Sequence, residues 1–178
     1  MTEVNLIEVN EPWKHYIVEN FLEVDDFKEL EKWVDSLPNA EPKDRYNEWV
    51  TDSSKVVKAK ERFENLLSEI NFVPRIPYRI EVEYNSVGQD YDYPIHTDSP
   101  DKFVTLVLYV SPEDNQGTRI HNSDKTFHSE VKWKKNSGLL FERKDDTFHT
   151  YKSKFSSRKT INIICLEEKN QKLGGRRY

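Results

Sequence analysis

The chain has 178 residues, and at that length a single domain buries enough surface to hold a sizeable core. A third of the residues are charged, but Leu, Ile, Val and Phe supply enough apolar mass to place the chain outside the disordered regime. The 27 basic and 32 acidic residues are interspersed, so no basic stripe disposes it to nucleic acid, and Cys165 as the single cysteine excludes an intrachain disulfide and any multi-cysteine zinc site. The start of the chain shows no basic segment followed by an apolar one, and no apolar run has the length of a membrane span. A cytoplasmic, soluble protein, monomeric or weakly dimeric, is expected.

In chain order, the first signals are helical. Phe27, Leu30, Trp33, Val34 and Leu37 recur at three- and four-residue spacing and predict a helix over 25–36, with Asp25 as N-cap and Pro38 as the stop. Val56, Ala59, Phe63, Leu66, Leu67 and Ile70 predict a second over 53–70, opened by Asp52 and Ser53. Residues 1–74 are therefore read as a helical N-terminal part.

After Pro74 the pattern changes to short runs rich in β-branched and aromatic residues. The runs are 78–84, 93–98, 103–110, 118–121, 126–133, 139–142, 147–151 and 159–166, punctuated by turn sequences such as Ser99-Pro100-Asp101 and Asn136-Ser137-Gly138. About eight such strands in under ninety residues predict a jelly roll, a double-stranded β-helix, over 75–166. The fold class expected is α+β, with the two helices packed on that core. No repeat or linker marks a second domain, and 167–178 reads as a polar tail.

On a strand, His96 and Asp98 of His96-Thr97-Asp98 project from one face. His149, some fifty residues later, can complete a set of two imidazoles and one carboxylate, the arrangement that leaves open positions on a non-haem iron(II) centre. Arg158 follows nine residues on, and its planar guanidinium can grip a carboxylate with two parallel hydrogen bonds. Thr160 and Asn162 share its face, and the alternation Phe103, Thr105, Val107, Tyr109 aims Tyr109 at the same place. Each residue alone has a blander reading. A chance His-x-Asp is common at this composition, a lone histidine is more often hydrogen-bonded than ligating, and a lone arginine is most often solvated. A near-match, His128-Ser129-Glu130, sits too close to His149 for the two ends of a roll to converge. The ordered set carries the argument.

These residues resemble the iron(II)/2-oxoglutarate dioxygenases, and within them the prolyl 4-hydroxylase-like branch. The resemblance covers roughly 78–166 and rests on His96-Thr97-Asp98, the strand 103–110, Gly138-Leu139-Leu140-Phe141, His149 and Arg158. It implies that iron(II), 2-oxoglutarate and O2 are used together, with His96, Asp98 and His149 on the metal. Arg158 and Tyr109 would hold the far carboxylate of 2-oxoglutarate, and Tyr84 resembles an active-site tyrosine of the branch. The implied reaction is hydroxylation of a C–H bond, in a prolyl residue of a peptide or in a free amino acid or small metabolite, since a carboxylate stands where related halogenases leave room for chloride. Two features depart from the pattern: Gly117-Thr118 replaces a Gly-Gly pair, and Thr150 follows His149 where an acid is common. Two readings stand beside the leading one: a non-catalytic jelly-roll binding module, and a metal enzyme that needs no keto acid. The polar segment 85–92, carrying Gly88, is expected to be a flap over the site.

Overall fold

A computed structural model describes residues 3–74 and 76–168. Among the described residues are ten strands and two helices: β1 (Asn5–Val9), β2 (His15–Glu19), α1 (Val24–Asp35), β3 (Arg45–Trp49), α2 (Val57–Glu69), β4 (Tyr78–Val87), β5 (Lys102–Ser111), β6 (Thr118–His121), β7 (Phe127–Val131), β8 (Ser137–Glu142), β9 (His149–Thr150) and β10 (Arg158–Glu167). They form a seven-stranded sheet in the order β1-β2-β8-β5-β10-β4-β3 and a three-stranded sheet in the order β7-β6-β9, with every pairing antiparallel. The jelly-roll core with helices against it is the architecture expected from the spacing of the runs.

Strand β10 is the axis of the arrangement, because it pairs along its whole length with β4 on one side and with β5 over most of it on the other. Its side chains alternate, and burial sorts them. Ile161, Ile163 and Cys165 join Val82 and Tyr84 of β4 and Val104, Leu106 and Leu108 of β5 on the face covered by the helices. Phe27, Leu30 and Val34 of α1 and Phe63, Leu66 and Leu67 of α2 complete that core. A second, smaller core of Trp13, Tyr109, Ile120, Val131, Leu139 and Phe141 lies toward the small sheet. Gly117 lets β6 close against β7, since a Cβ there would lie 1.6 Å from the Val131 carbonyl oxygen.

The helix limits shift slightly from the sequence reading. Helix α1 starts after Glu23, which makes no side-chain cap, and Asp25 and Asp26 instead place negative charge in its first turn. Asp52 caps a short 3-10 turn over Ser53–Lys55 by accepting from the Ser54 N–H, and α2 begins beyond it.

Three larger differences concern strands. Residues 1–74 are not simply helical, because β1, β2 and β3 lie in that region and extend the large sheet at both edges. Edge strands are partly exposed, and the polar run Arg45-Tyr46-Asn47-Glu48-Trp49 carries no apolar alternation to announce one. Residues 93–98 do not form a continuous strand. Pro94 removes a donor, and the segment is held by the reciprocal bonds His96 N–H to His149 C=O (3.1 Å) and His149 N–H to His96 C=O (2.9 Å). This bridge places it beside β9, as a fourth member of the small sheet. Finally, 85–87 are buried and paired within β4, so the expected flap shrinks to the turn that follows.

Candidate metal centre and keto-acid cavity

His96 and Asp98 come from the loop joining β4 to β5, and His149 from β9. One potential ligand atom from each lies within 4.8 Å of the others, with Asp98 Oδ1 3.8 Å from His96 Nε2 and 3.5 Å from His149 Nε2. Each imidazole is oriented from behind. His96 Nδ1 donates to Pro94 C=O and His149 Nδ1 to Thr147 C=O, both at 2.9 Å. A carbonyl only accepts, so Nδ1 carries the proton and the Nε2 lone pair of each ring faces Asp98. Phe141 packs edge-on against His149 and Tyr93 against His96.

Asp98 is 8% exposed. Burial works against its carboxylate, but nearby His149 and Lys102, with the Thr105 hydroxyl donating to Oδ2 at 2.8 Å, outweigh it and hold the carboxyl below its ordinary range. Arg143 Nε donates to the Asp98 carbonyl and fixes the loop. Burial first, and then the neighbouring His149, push His96 down to about 4, so at neutral pH it is uncharged. A neutral imidazole with a free lone pair and an ionised carboxylate are the protonation states that metal ligation requires. The donor set fits a divalent iron.

Arg158 opens β10 and is 1% exposed. Its Nε donates to Gln116 C=O at 2.9 Å, while Nη2 is buried with no partner. The guanidinium carbon sits 4.9 to 5.4 Å from the ring centroids of Tyr109, Tyr151 and Trp133. Among the described residues no carboxylate forms an ion pair with it. Burial pulls its pKa below the ordinary value, and a buried cation with an unused donor is costly unless an anion completes it.

Both groups open on one cavity of about 180 Å³, whose walls include Asn85, Tyr93, Thr105, Thr118, Tyr151, Thr160 and Asn162. The structure therefore brings His96, Asp98, His149, Arg158 and Thr160 together. Tyr109 and Tyr84 are placed differently. The Tyr109 hydroxyl donates to Thr118 Oγ1 and accepts from the Thr118 N–H, both at 2.9 Å, so only its ring serves Arg158. Tyr84 faces the helices on the other side of β4, and its hydroxyl donates to Pro38 C=O. Strand alternation sends Tyr84 away from the cavity and Asn85 toward it.

Sequence reasoning passed over Tyr151. It stands two residues beyond His149, at the spacing that keeps a side chain on one face, and this was the signal available. Its hydroxyl accepts from Arg45 Nη1 at 3.3 Å and Asn85 Nδ2 at 3.4 Å, and burial raises its pKa, which keeps the phenol a neutral donor. The decoy pair is elsewhere. His128 is exposed on β7, and Glu130 accepts from the Gly117 N–H. Thr150 donates to the Tyr93 carbonyl and ties the bridge segment down.

No family model matches the sequence, and no curated protein matches it. Solved structures do match in shape. The viral collagen prolyl hydroxylase of Paramecium bursaria Chlorella virus-1, in its 2OG complex, superposes with a TM-score of 0.68 at 16% identity, over 87% of this chain and 96% of that one. A Trichoplax adhaerens prolyl hydroxylase bound to a hypoxia inducible factor peptide fragment gives 0.70 at 16% identity, over 86% and 83%. A 2OG-Fe(II) oxygenase family protein from Burkholderia pseudomallei gives 0.65 at 12%, over 85% and 84%. The chain has the fold of the 2OG-Fe(II) oxygenases. At such low identity the likeness is one of architecture, and the chemistry rests on the residues of this cavity. Among the described residues, no helix is long and apolar enough to cross a membrane.

Proposed function

We propose that this chain is an iron(II)- and 2-oxoglutarate-dependent oxygenase that hydroxylates a C–H bond. The observation that carries the reading is the partnerless Nη2 of buried Arg158, facing the same cavity as the His96, Asp98 and His149 donors. One end of that cavity calls for a metal and the other for a carboxylate. His96, Asp98 and His149 would hold the iron, and Arg158 would hold the distal carboxylate of the keto acid. When bound together, iron and 2-oxoglutarate supply the oxidising chemistry that couples decarboxylation to insertion of oxygen into a C–H bond.

The protein's own groups do the rest. Thr105 and Arg143 keep the Asp98 carboxylate in place, and the two backbone-anchored imidazoles hold their tautomers. The rings of Tyr109, Trp133 and Tyr151 wall Arg158 from water, which strengthens its grip on an anion. Tyr151 takes the place expected for Tyr109 as the hydroxyl donor beside the keto acid, and Thr160 lines the same wall. A prolyl residue in a peptide is the substrate favoured by the prolyl hydroxylases among the structural neighbours.

The test is anaerobic titration with iron(II) followed by 2-oxoglutarate, and then succinate release in air. One equivalent of each ligand should bind, with succinate formed at least slowly. Absence of iron binding would return the chain to the non-catalytic binding module, and iron binding without any affinity for 2-oxoglutarate would leave a metal enzyme of another kind.

A further inference from the structure

Resting on that reading, the geometry points to a substrate that carries a protonated amine or guanidinium, received by Glu83 at the mouth of the cavity with Trp49 beside it. Glu83 lies on the cavity face of β4 and lines the cavity. It is four residues along the strand from Val87, the partner of Arg158, or about 13 Å from the keto-acid end. That is too far to meet the distal carboxylate of the keto acid. Relative to the metal it is well placed. Asp98 accepts from Thr105 of β5, which pairs with Ile164 of β10, and Glu83 on β4 pairs with Asn162 of β10. Two strand spacings and a two-residue offset along β10, roughly 12 Å of backbone, separate the metal's support from Glu83. A substrate group lying across β10 spans that gap.

The Glu83 carboxylate is held ready. Asn47 Nδ2 donates to Oε1 at 2.8 Å and Asn162 Nδ2 to Oε2 at 3.5 Å, one amide from each flanking strand, and no cation of the described residues forms an ion pair with it. An acid kept at the entrance of a site that takes a dianionic keto acid repels that keto acid, and this cost is offset when it meets a cation on the substrate. Trp49 is the direct cross-strand partner of Glu83 on the same face and is 48% exposed, although a ring of that size is normally buried. A carboxylate beside a free indole face suits an ammonium or guanidinium group. The two cations of the cavity wall other than Arg158 are disposed differently. Arg45 is stacked on Tyr93 and bonded to Tyr151, while Lys102 is turned inward next to Asp98 by a β-bulge at Phe103.

Two sources offer this chemistry: a free basic amino acid, and a basic residue near the oxidised position of a peptide. The probes are therefore L-lysine against L-norleucine, and a short proline-containing peptide with one lysine against the same peptide with norleucine. Binding to the wild-type protein is measured by calorimetry, anaerobically, with iron(II) and 2-oxoglutarate present. One of the two lysine probes should bind about ten-fold more tightly than its neutral counterpart, and the source is whichever pair shows the difference. Glu83→Gln should reduce that preference to less than about two-fold without weakening iron(II) or 2-oxoglutarate binding. Trp49→Ala should lower lysine-probe affinity about three-fold. Equal binding of charged and neutral probes, no binding of either lysine probe, or a preference that survives in Glu83→Gln overturns the assignment. Iron and keto-acid binding are read separately in the same titrations. A failure of the oxygenase reading therefore appears as loss of those affinities in the wild-type protein, and a failure of the Glu83 assignment leaves them intact.

Discussion

The two faces of the large sheet are made by the same strands and behave as different materials. On β10, Ile161, Ile163 and Cys165 turn to the helices and disappear into an apolar core, while Arg158, Thr160 and Asn162 turn to the cavity. On β4 the division falls between Val82 and Tyr84 on one side and Glu83 and Asn85 on the other. The helix face is satisfied internally. The cavity face keeps buried polar atoms without partners, Arg158 Nη2 and Asn85 Oδ1, which a folded protein retains at a cost in stability. One face holds the fold together, and the other is held by it.

If that division is real, substitutions on the two faces should separate cleanly. The largest effect is expected from Asp98→Ala, which removes the only carboxylate of the metal set and should abolish measurable iron(II) binding and succinate formation in anaerobic titration and turnover assays. Retained stoichiometric iron would take Asp98 off the metal. Next, Phe63→Ala empties part of the helix-side core and should cost about 3–5 kcal/mol in denaturant unfolding, with 2-oxoglutarate affinity of the folded fraction unchanged. A loss of keto-acid binding there would show that the faces are coupled.

Arg158→Ala tests the other side. Truncating one member of a buried charge pair costs about 2–5 kcal/mol, so 2-oxoglutarate affinity should fall roughly thirty-fold or more. The apo protein should lose little stability, because the guanidinium lacks a carboxylate partner there. An affinity within a few-fold of wild type would remove Arg158 from the keto acid.

The pH dependence of the apo protein sharpens the contrast. His96 is depressed to about 4 in the folded state, chiefly by burial, against about 6.5 when unfolded. The unfolded chain therefore binds the proton more readily between those values. The contribution is fully present above pH 6.5 and is lost as the pH falls toward 4. Thermal unfolding across that window should show stability declining, and a His96→Gln variant should lack this part of the slope.

The smallest effect is expected from Thr105→Val, which removes one hydrogen bond to Asp98 Oδ2. Outer-shell changes of this kind cost about ten-fold or more in metal affinity, so iron(II) should bind more weakly with the fold unaltered.

Much of this molecule can be read without coordinates, for a physical reason. Periodicity is local, so the apolar spacing of 25–36 and 53–70 announces two helices, and alternation in 103–110 and 159–166 announces strands at the centre of the sheet. The combination of His96, Asp98, His149 and Arg158 is equally visible, because metal and carboxylate binding call for those residue types. What escaped was whatever depends on a distant neighbour. Strand β3 is recognised by its pairing with β4 and not by its own polar sequence. Tyr109 carries the right hydroxyl, but Thr118, reached through the turn into β6, takes its hydrogen bonds, and Tyr151 meets the cavity instead. Tyr84 is one residue out of phase, and a single step along a strand reverses its face.

Residue chemistry and spacing thus determined on their own the two helices, the central strands and which side chains offer donors for a metal and an anion, since these follow from near neighbours and side-chain type. Only the tertiary structure decided which hydroxyl stays free, which tyrosine faces the helices, and that Lys102 turns inward while Glu83 and Trp49 stand together at the mouth. Those outcomes depend on strand order, register and one bulge, and these arise from contacts between residues far apart in the chain.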